Sequence, residues 1–445
     1  MSDSSSTVSP PPGPQPPLIT QIVAPPPKLL DADFPSPPPK LSPSPQWNPA
    51  EERPPIEGID WDTEDLGSAV EFNVLNYGAE GDGTTNDTEA FLDAWTAACA
   101  VDTGYVHASA GYTFLVYPII FKGPCKTNMT FKVDGTIIAP SDPSVWDDYG
   151  KYWLQFKSVT MTIQGKGTID GRGQTWWANS CKTNKSNPCV DGPTALVINT
   201  CTNVTIKNVA IQNSQQMHVA FEKSTGITVN NVTITAPGTS PNTDGIHLQN
   251  SSSVTIKNTQ IATGDDCISI QTGSFNVNIK NFQCLLGHGI SVGGLGKSQT
   301  RAEVSGLVVD TAVFHNATNG VRIKTWQGSS GYANNFCFKN IQMINTKNPI
   351  LIDQYYCDSG ASGSCTNYTS NVLVSDIKYK NITGTSASAT AVSFHCSETT
   401  VACTDISLDD INLVQTSGSS TTSSCDDAYG TASGTEAPPS CLLDS

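Results

Sequence analysis

VTIKNV (204–209), ITVNNV (227–232), VTIKNT (254–259) and VNIKNF (277–282) are four versions of one phrase, and their recurrence decides the fold. LVVDTA (307–312), FCFKNI (336–341), VLVSDI (372–377) and ISLDDI (406–411) continue the series, so that successive units start 23, 27, 23, 30, 29, 36 and 34 residues apart. Each unit alternates apolar and polar residues, the period-two signature of a strand, and ends in turn-forming Asn, Asp, Gly or Thr. A repeat of this length built on one short strand indicates a solenoid whose coils stack at about 4.8 Å. The leucine spacing of leucine-rich repeats is absent. The expectation is an all-β, right-handed parallel β-helix, a single-stranded solenoid, with TFKVDGTIIAP (130–140) and MTIQGKGTIDG (161–171) as early coils.

Upstream of the coils, EFNVLNYGAEGDGTTNDTEAF begins at Glu71 and leads into an amphipathic stretch with Phe91, Trp95 and Cys99 on one face. This predicts a short capping helix of about 14 residues, started by Asn86 or Asp87. Residues 1–55 hold 18 of the 29 prolines, a composition that favours extended polyproline II and cannot bury a core. The reading is therefore a Pro-rich tail (1–55), a connector (56–70), one elongated catalytic solenoid (71–415) and a disulfide-closed C-terminal tail (416–445). The 445 residues carry 24 basic and 40 acidic side chains, a net charge of −16 that disfavours nucleic acid and anionic membranes as partners. No apolar run reaches the roughly 18 residues of a membrane-spanning helix; the longest candidate, Tyr112 to Phe121, is broken by Pro118.

Fourteen cysteines without zinc-type spacing point to disulfides and a secreted protein. Cys181 with Cys189, Cys357 with Cys365, Cys396 with Cys403 and Cys425 with Cys441 are the pairs expected from proximity. Cys201 and Cys337 adjoin units five coils apart, roughly 24 Å at one strand spacing per coil, and are expected to stay free thiols. Nine Asn-x-Ser/Thr sequons accompany them. The opening MSDSSSTVSPPP has neither the basic nor the apolar region of a signal peptide.

Four segments interrupt the repeat with ionisable residues: NTDGIH (242–247), GDDCISI (264–270), GHGISVGG (287–294) and RIKTW (322–326). Asp244, Asp265 and His288 lie 21 and 23 residues apart, about one coil each, which predicts a column on one face. Arg322 and Lys324 follow one coil along and, two apart on a strand, point the same way. Asp265 and Asp266 can share a cleft only at a bend, which Gly264 permits. Taken singly, each residue has a bland reading as turn chemistry or a solvated strand face. Their common phase with the coil supports a functional patch.

In this order the four segments resemble the signature segments of the polygalacturonases, the pectin-cleaving glycoside hydrolase family 28. FNVLNYGAEGDGTTNDTEAF and CDDAYGTASGTEAPPSCL are similar to the plant branch in particular. The resemblance implies hydrolysis of the α-1,4 bonds of polygalacturonate with inversion and no metal or other cofactor. It also implies a secreted, cell-wall location, and the chain is expected to act as a monomer. It further implies Asp265 as general acid, Asp244 and Asp266 as the base that orients water, and His288 as a tuner of their protonation. Arg322 and Lys324 would bind substrate carboxylates, and Tyr356 and Asn242 would contact substrate. His247 is a weaker candidate, read as structural before functional. Gly294 stands where the family commonly has Ser, a change expected to remove a hydroxyl near His288 with small effect. Spacing alone would set Asp244 and Asp265 closer than the roughly 6.5–9.5 Å usual for inverting pairs. A rhamnogalacturonan or xylogalacturonan hydrolase, a calcium-dependent lyase and a non-catalytic wall-binding protein are the competing readings.

Overall fold

The computed structural model describes Leu66 and residues 69–147, 150–357, 369–398 and 403–444. The Pro-rich segment, Cys365 and most of the connector lie outside the described residues, all of which belong to one compact unit. The strands form two parallel sheets, of nineteen and eleven strands among the described residues, wound as a right-handed β-helix.

Alternation turns every second side chain of a strand into the solenoid, where it meets its equivalent in the next coil. Ile206, Val229, Ile256, Ile279, Val309, Phe338, Tyr379 and Leu408 form one such column, in register from strand to strand and buried throughout. Burying each aliphatic member contributes about 1.5–3 kcal/mol. Phe338 and Tyr379 stack, with ring centroids 5.3 Å apart.

The corners are set by residues with positive φ, five positions apart: Asn203 and Asn208, Ser253 and Asn258, Asn276 and Asn281, Asn335 and Asn340, Asp376 and Asn381. Asn and Asp tolerate this left-handed conformation better than other side-chain-bearing residues. Their amides also bond from coil to coil: Asn231 to Asn208 (2.9 Å), Asn281 to Asn258 (2.7 Å), Asn381 to Asn340 (2.9 Å).

This register corrects one repeat. Phe336 pairs with Ile377, and Ile377 with Ile406, so the equivalent of FCFKNI is IKYKNI (377–382) and not VLVSDI (372–377). Both phrases alternate and both lie in the strand Asn371–Ser386. Each carries a positive-φ corner residue at its fifth position, Asp376 and Asn381, so the pairing alone tells them apart.

The helix Thr88–Cys99 closes the N-terminal end, with Phe91 against Phe114 and Trp95 against Phe121 and Phe156. Asn86 accepts from the Thr88 N–H (3.1 Å), whereas Asp87 turns back to accept from the Glu80 N–H (2.8 Å) and Gly81 N–H (3.3 Å). A second, unexpected helix of one turn spans Gln174–Ala178. Beyond residue 415 the coiling continues: Thr422–Asp426 and Ala428–Ala437 add strands to both sheets.

The expected disulfides Cys181–Cys189, Cys396–Cys403 and Cys425–Cys441 are present, and Cys99–Cys125 and Cys267–Cys284 join them. Cys201 and Cys337 are free thiols, the first buried and the second half-buried. No helix among the described residues is long and apolar enough to cross a membrane.

Candidate active site

The eleven-stranded sheet carries the site, built from the turns that enter successive strands. Asp244 precedes Ile246–Gln249, Asp265 and Asp266 precede Ile268–Ile270, and His288 precedes Ile290–Leu295. Arg322 and Lys324 lie within the next strand, Asn319–Trp326. Extending the register two residues back aligns Asp244 with Asp266 and Asp266 with His288. The column is therefore Asp244–Asp266–His288, with Asp265 one residue upstream, and not Asp244–Asp265–His288 as the spacing suggested.

Asp265 and Asp266 do share a bend, and Gly264 is required there by close approach: a Cβ would sit 2.0 Å from the Ser240 carbonyl oxygen. Gly287 and Gly289 flank His288 with φ of 89° and 77°. A Cβ at Gly287 would lie 2.4 Å from the Asp265 carbonyl oxygen, so these glycines let the His288 turn settle onto that of Asp265.

The side chains then meet. His288 Nδ1 is 3.0 Å from Asp265 Oδ1. Asp266, 2% exposed, accepts from Ser291 Oγ (2.8 Å), Arg322 Nη2 (2.8 Å) and Lys324 Nζ (3.0 Å). Ser291 Oγ in turn accepts from Arg322 Nε (3.0 Å). Arg322 and Lys324 are thus engaged with a buried carboxylate before any substrate arrives. Asp244 Oδ2 faces His247 Nδ1 at 3.2 Å. Its backbone carbonyl accepts from His218, whose Nδ1 is 2.9 Å away and whose Nε2 accepts from the Ser214 N–H. That fixes the His218 tautomer, and full burial lowers the imidazole to about 4.

The two outer carboxyls differ in proton affinity. Burial lifts Asp244 to about 6, and the charges of Asp265 and Asp266 push the same way. Burial also pushes Asp265 upward, but the His288 hydrogen bond and charge, followed by Lys324 and Lys182, hold it down at about 2. Burial thus favours the protonated form of Asp244, and the positive surroundings favour the ionised form of Asp265. One ligand atom each of Asp265, Asp266 and His288 lie within 4.8 Å of one another, a spacing that could hold a metal ion. The two cations already on Asp266 oppose that occupancy.

Tyr356 packs edge-on against Trp326, centroids 5.3 Å apart, with Lys324 Nζ 5.2 Å from the tyrosine ring centre. Asn242 has a φ of 58° and serves as a left-handed turn residue. Gly294 does not neighbour His288 as its nearest surroundings; a Cβ there would meet Trp326 Nε1 at 2.6 Å and Tyr356 Cε1 at 3.0 Å. The missing Ser side chain therefore leaves room for this aromatic pair.

The family model for "Glycosyl hydrolases family 28" matches residues 102–434. A probable polygalacturonase of Arabidopsis thaliana is 47% identical over 84% of this chain and 84% of its own length. A polygalacturonase of Persea americana is 45% identical over 80% of this chain and 76% of its own. The chain belongs to glycosyl hydrolase family 28. Among solved structures, polygalacturonase from Erwinia carotovora superposes on this family 28 chain with a TM-score of 0.64 at 25% identity, covering 79% of this chain and 94% of the other. The endo-xylogalacturonan hydrolase from Aspergillus tubingensis shares the fold, with a TM-score of 0.69 at 22% identity over 83% of this chain and 100% of the other.

Two residues beside this family 28 site, Ser291 and His218, escaped the sequence reading, and His247 entered it only as a weaker candidate. His247 was read as structural yet touches Asp244, Ser291 sits between Asp266 and Arg322, and His218 supports Asp244 from below. The register gives the missing signal for two of them: His247, Ser269, Ser291 and Arg322 occupy one outward column of the sheet.

Proposed function

We propose that this family 28 glycoside hydrolase cleaves the α-1,4-galacturonosyl bonds of polygalacturonate, the homogalacturonan of pectin, with inversion. The observation that carries the reading is the Asp265–His288 pair beside an Asp266 clamped by Arg322 and Lys324. It gives a polyanionic sugar both acid–base groups and positive charge in one cleft, and several relatives carry the name polygalacturonase. Inverting hydrolysis needs a protonated carboxyl at the leaving oxygen and a carboxylate that activates water. Asp265 takes the first role. Asp244 and Asp266 take the second, with Ser291, Arg322 and Lys324 fixing the direction of the Asp266 oxygens.

Substrate binding supplies the proton shift that the free cleft lacks. A galacturonate carboxylate entering the cleft partners the cations that hold Asp265 down, and the sugar excludes water, so the Asp265 pKa rises toward the working range. Because the carboxyls interact, the proton belongs to the group, and its position follows the ligand. The disulfides support work outside the reducing cytosol, and we place the protein in the plant cell wall as a monomer.

The test is reducing-end release from polygalacturonate together with an activated galacturonide bearing a good leaving group. Asp265→Asn lowers polygalacturonate hydrolysis by 10³-fold or more, on the order expected for losing general acid catalysis on top of positioning, yet retains turnover of the activated substrate. Asp244→Asn loses both. The reverse pattern would reassign the acid to Asp244.

A further inference from the structure

A polyanionic substrate needs positive charge along the cleft, and the two cations expected to supply it are both bonded to Asp266. On the opposite side of the acids lies another source. The loop closed by Cys181–Cys189 carries Lys182 and Lys185, both exposed. Among the described residues Lys182 makes no ion pair, while Asp191, just beyond the loop, pairs with Lys151 (3.8 Å).

The loop is pinned at its base. Trp177 Nε1 donates to the Ser214 carbonyl (3.0 Å), Thr183 Oγ1 donates to the Trp177 carbonyl (2.8 Å), and the Lys182 N–H donates to Ser180 Oγ (3.2 Å). Ser214 is bonded to His218, and His218 to the Asp244 carbonyl. A chain of hydrogen bonds thus fixes this loop relative to the catalytic turns, on the coils that precede Asp244. Arg322 and Lys324 lie on the coil that follows His288. The loop leads into the strand Thr194–Asn199, which pairs with Val219–Glu222, itself paired with Ile246–Gln249, so it enters the same sheet as the catalytic turns two coils before Asp244.

We infer that Lys182, presented by the Cys181–Cys189 loop, binds the carboxylate of a galacturonate unit on the side of Asp265 away from Arg322 and Lys324. This deepens the polygalacturonate reading and rests on it. An unpaired cation near the acid serves two ends. It attracts the substrate, and once partnered it stops pulling charge onto Asp265, so occupancy of this subsite helps the acid take its proton.

The test compares KM and kcat on polygalacturonate for the full chain and for Lys182→Ala, Lys182→Arg, Lys185→Ala and the Cys181→Ser/Cys189→Ser double variant. Lys182→Ala raises KM about tenfold, with a KM that depends less on ionic strength than that of the unaltered protein. Lys182→Arg and Lys185→Ala stay within about twofold. The double variant, which frees the loop, follows Lys182→Ala. Unaltered thermal midpoints for the lysine variants separate this from misfolding, since both side chains are exposed. An unchanged KM in Lys182→Ala, or an equal rise in Lys185→Ala, overturns the inference. An unaltered protein that releases no reducing ends from polygalacturonate overturns the parent reading instead.

Discussion

Asp244 shows how the cleft holds a carboxyl at a cost to the fold. Its pKa is raised by burial from 3.8 to about 6, so the charged form is less favourable folded than unfolded. Below pH 3.8 the group is protonated in both states and the penalty vanishes; it grows as pH rises and is complete above about 6. Asp244→Asn is therefore expected to stabilise the protein at pH 7, on the order of 2 kcal/mol, while abolishing activity. Denaturant unfolding at pH 7 and pH 3.5 checks this: the gain should appear at the first and disappear at the second. A site residue whose removal strengthens the fold is retained for chemistry. At this scale the sequence showed the acids, His288 and the two cations, because ionisable residues interrupt an otherwise apolar–polar alternation. It did not show that Arg322 and Lys324 face Asp266, nor that Gly294 backs onto Trp326, because those contacts lie between coils.

The corner of a coil is the element that fixes phase. Asn258 has a φ of 51°, donates to Asn230 Oδ1 (2.8 Å) and accepts from Asn281 Nδ2 (2.7 Å). Asn258→Ala loses both bonds and puts in the left-handed region a residue that tolerates it less well than Asn does, for an expected loss of about 2–3 kcal/mol. Asn258→Gly loses the same bonds but relieves the backbone, so it should cost about 1 kcal/mol less than the alanine variant. Equal losses in chemical denaturation would mean that the bonds alone matter. This corner also explains what was legible. Period-two alternation identified the strands, yet alternation and a turn-forming fifth residue are common to VLVSDI and IKYKNI within one long strand, and only the pairing register separates them. The same logic recovers the column of the site, where strand register and not the count of intervening residues aligns Asp244 with Asp266. Cys267–Cys284 belongs here too, tying the turn behind Asp266 to the end of the strand Ser274–Cys284, a pairing that simple proximity in sequence did not reveal.

For the whole molecule, stacking converts sequence distance into length along an axis, and the cysteines report on it. Cys201 stands just before the strand Thr202–Lys207 and Cys337 lies in Ser330–Thr346, five steps along the ladder. Five strand spacings are roughly 24 Å, whereas a disulfide needs Cα atoms about 4.4–6.8 Å apart, so these two cannot meet in a folded chain. Cys357, like the ten cysteines of the five described bridges, is disulfide-bonded, and Cys365 is its expected partner beyond the described residues. Thiol titration of the unreduced, denatured protein is therefore expected to find two groups per chain, and fourteen after reduction. In the native protein Cys201, buried, should not react. Cys337, half-buried and with its thiol pKa raised by that burial, should react slowly. Four or more thiols before reduction would show that the bridges are not closed, and with them would fall the argument for an oxidising compartment. A fast-reacting pair in the native state would place both cysteines at the surface, which the stacked coils do not allow.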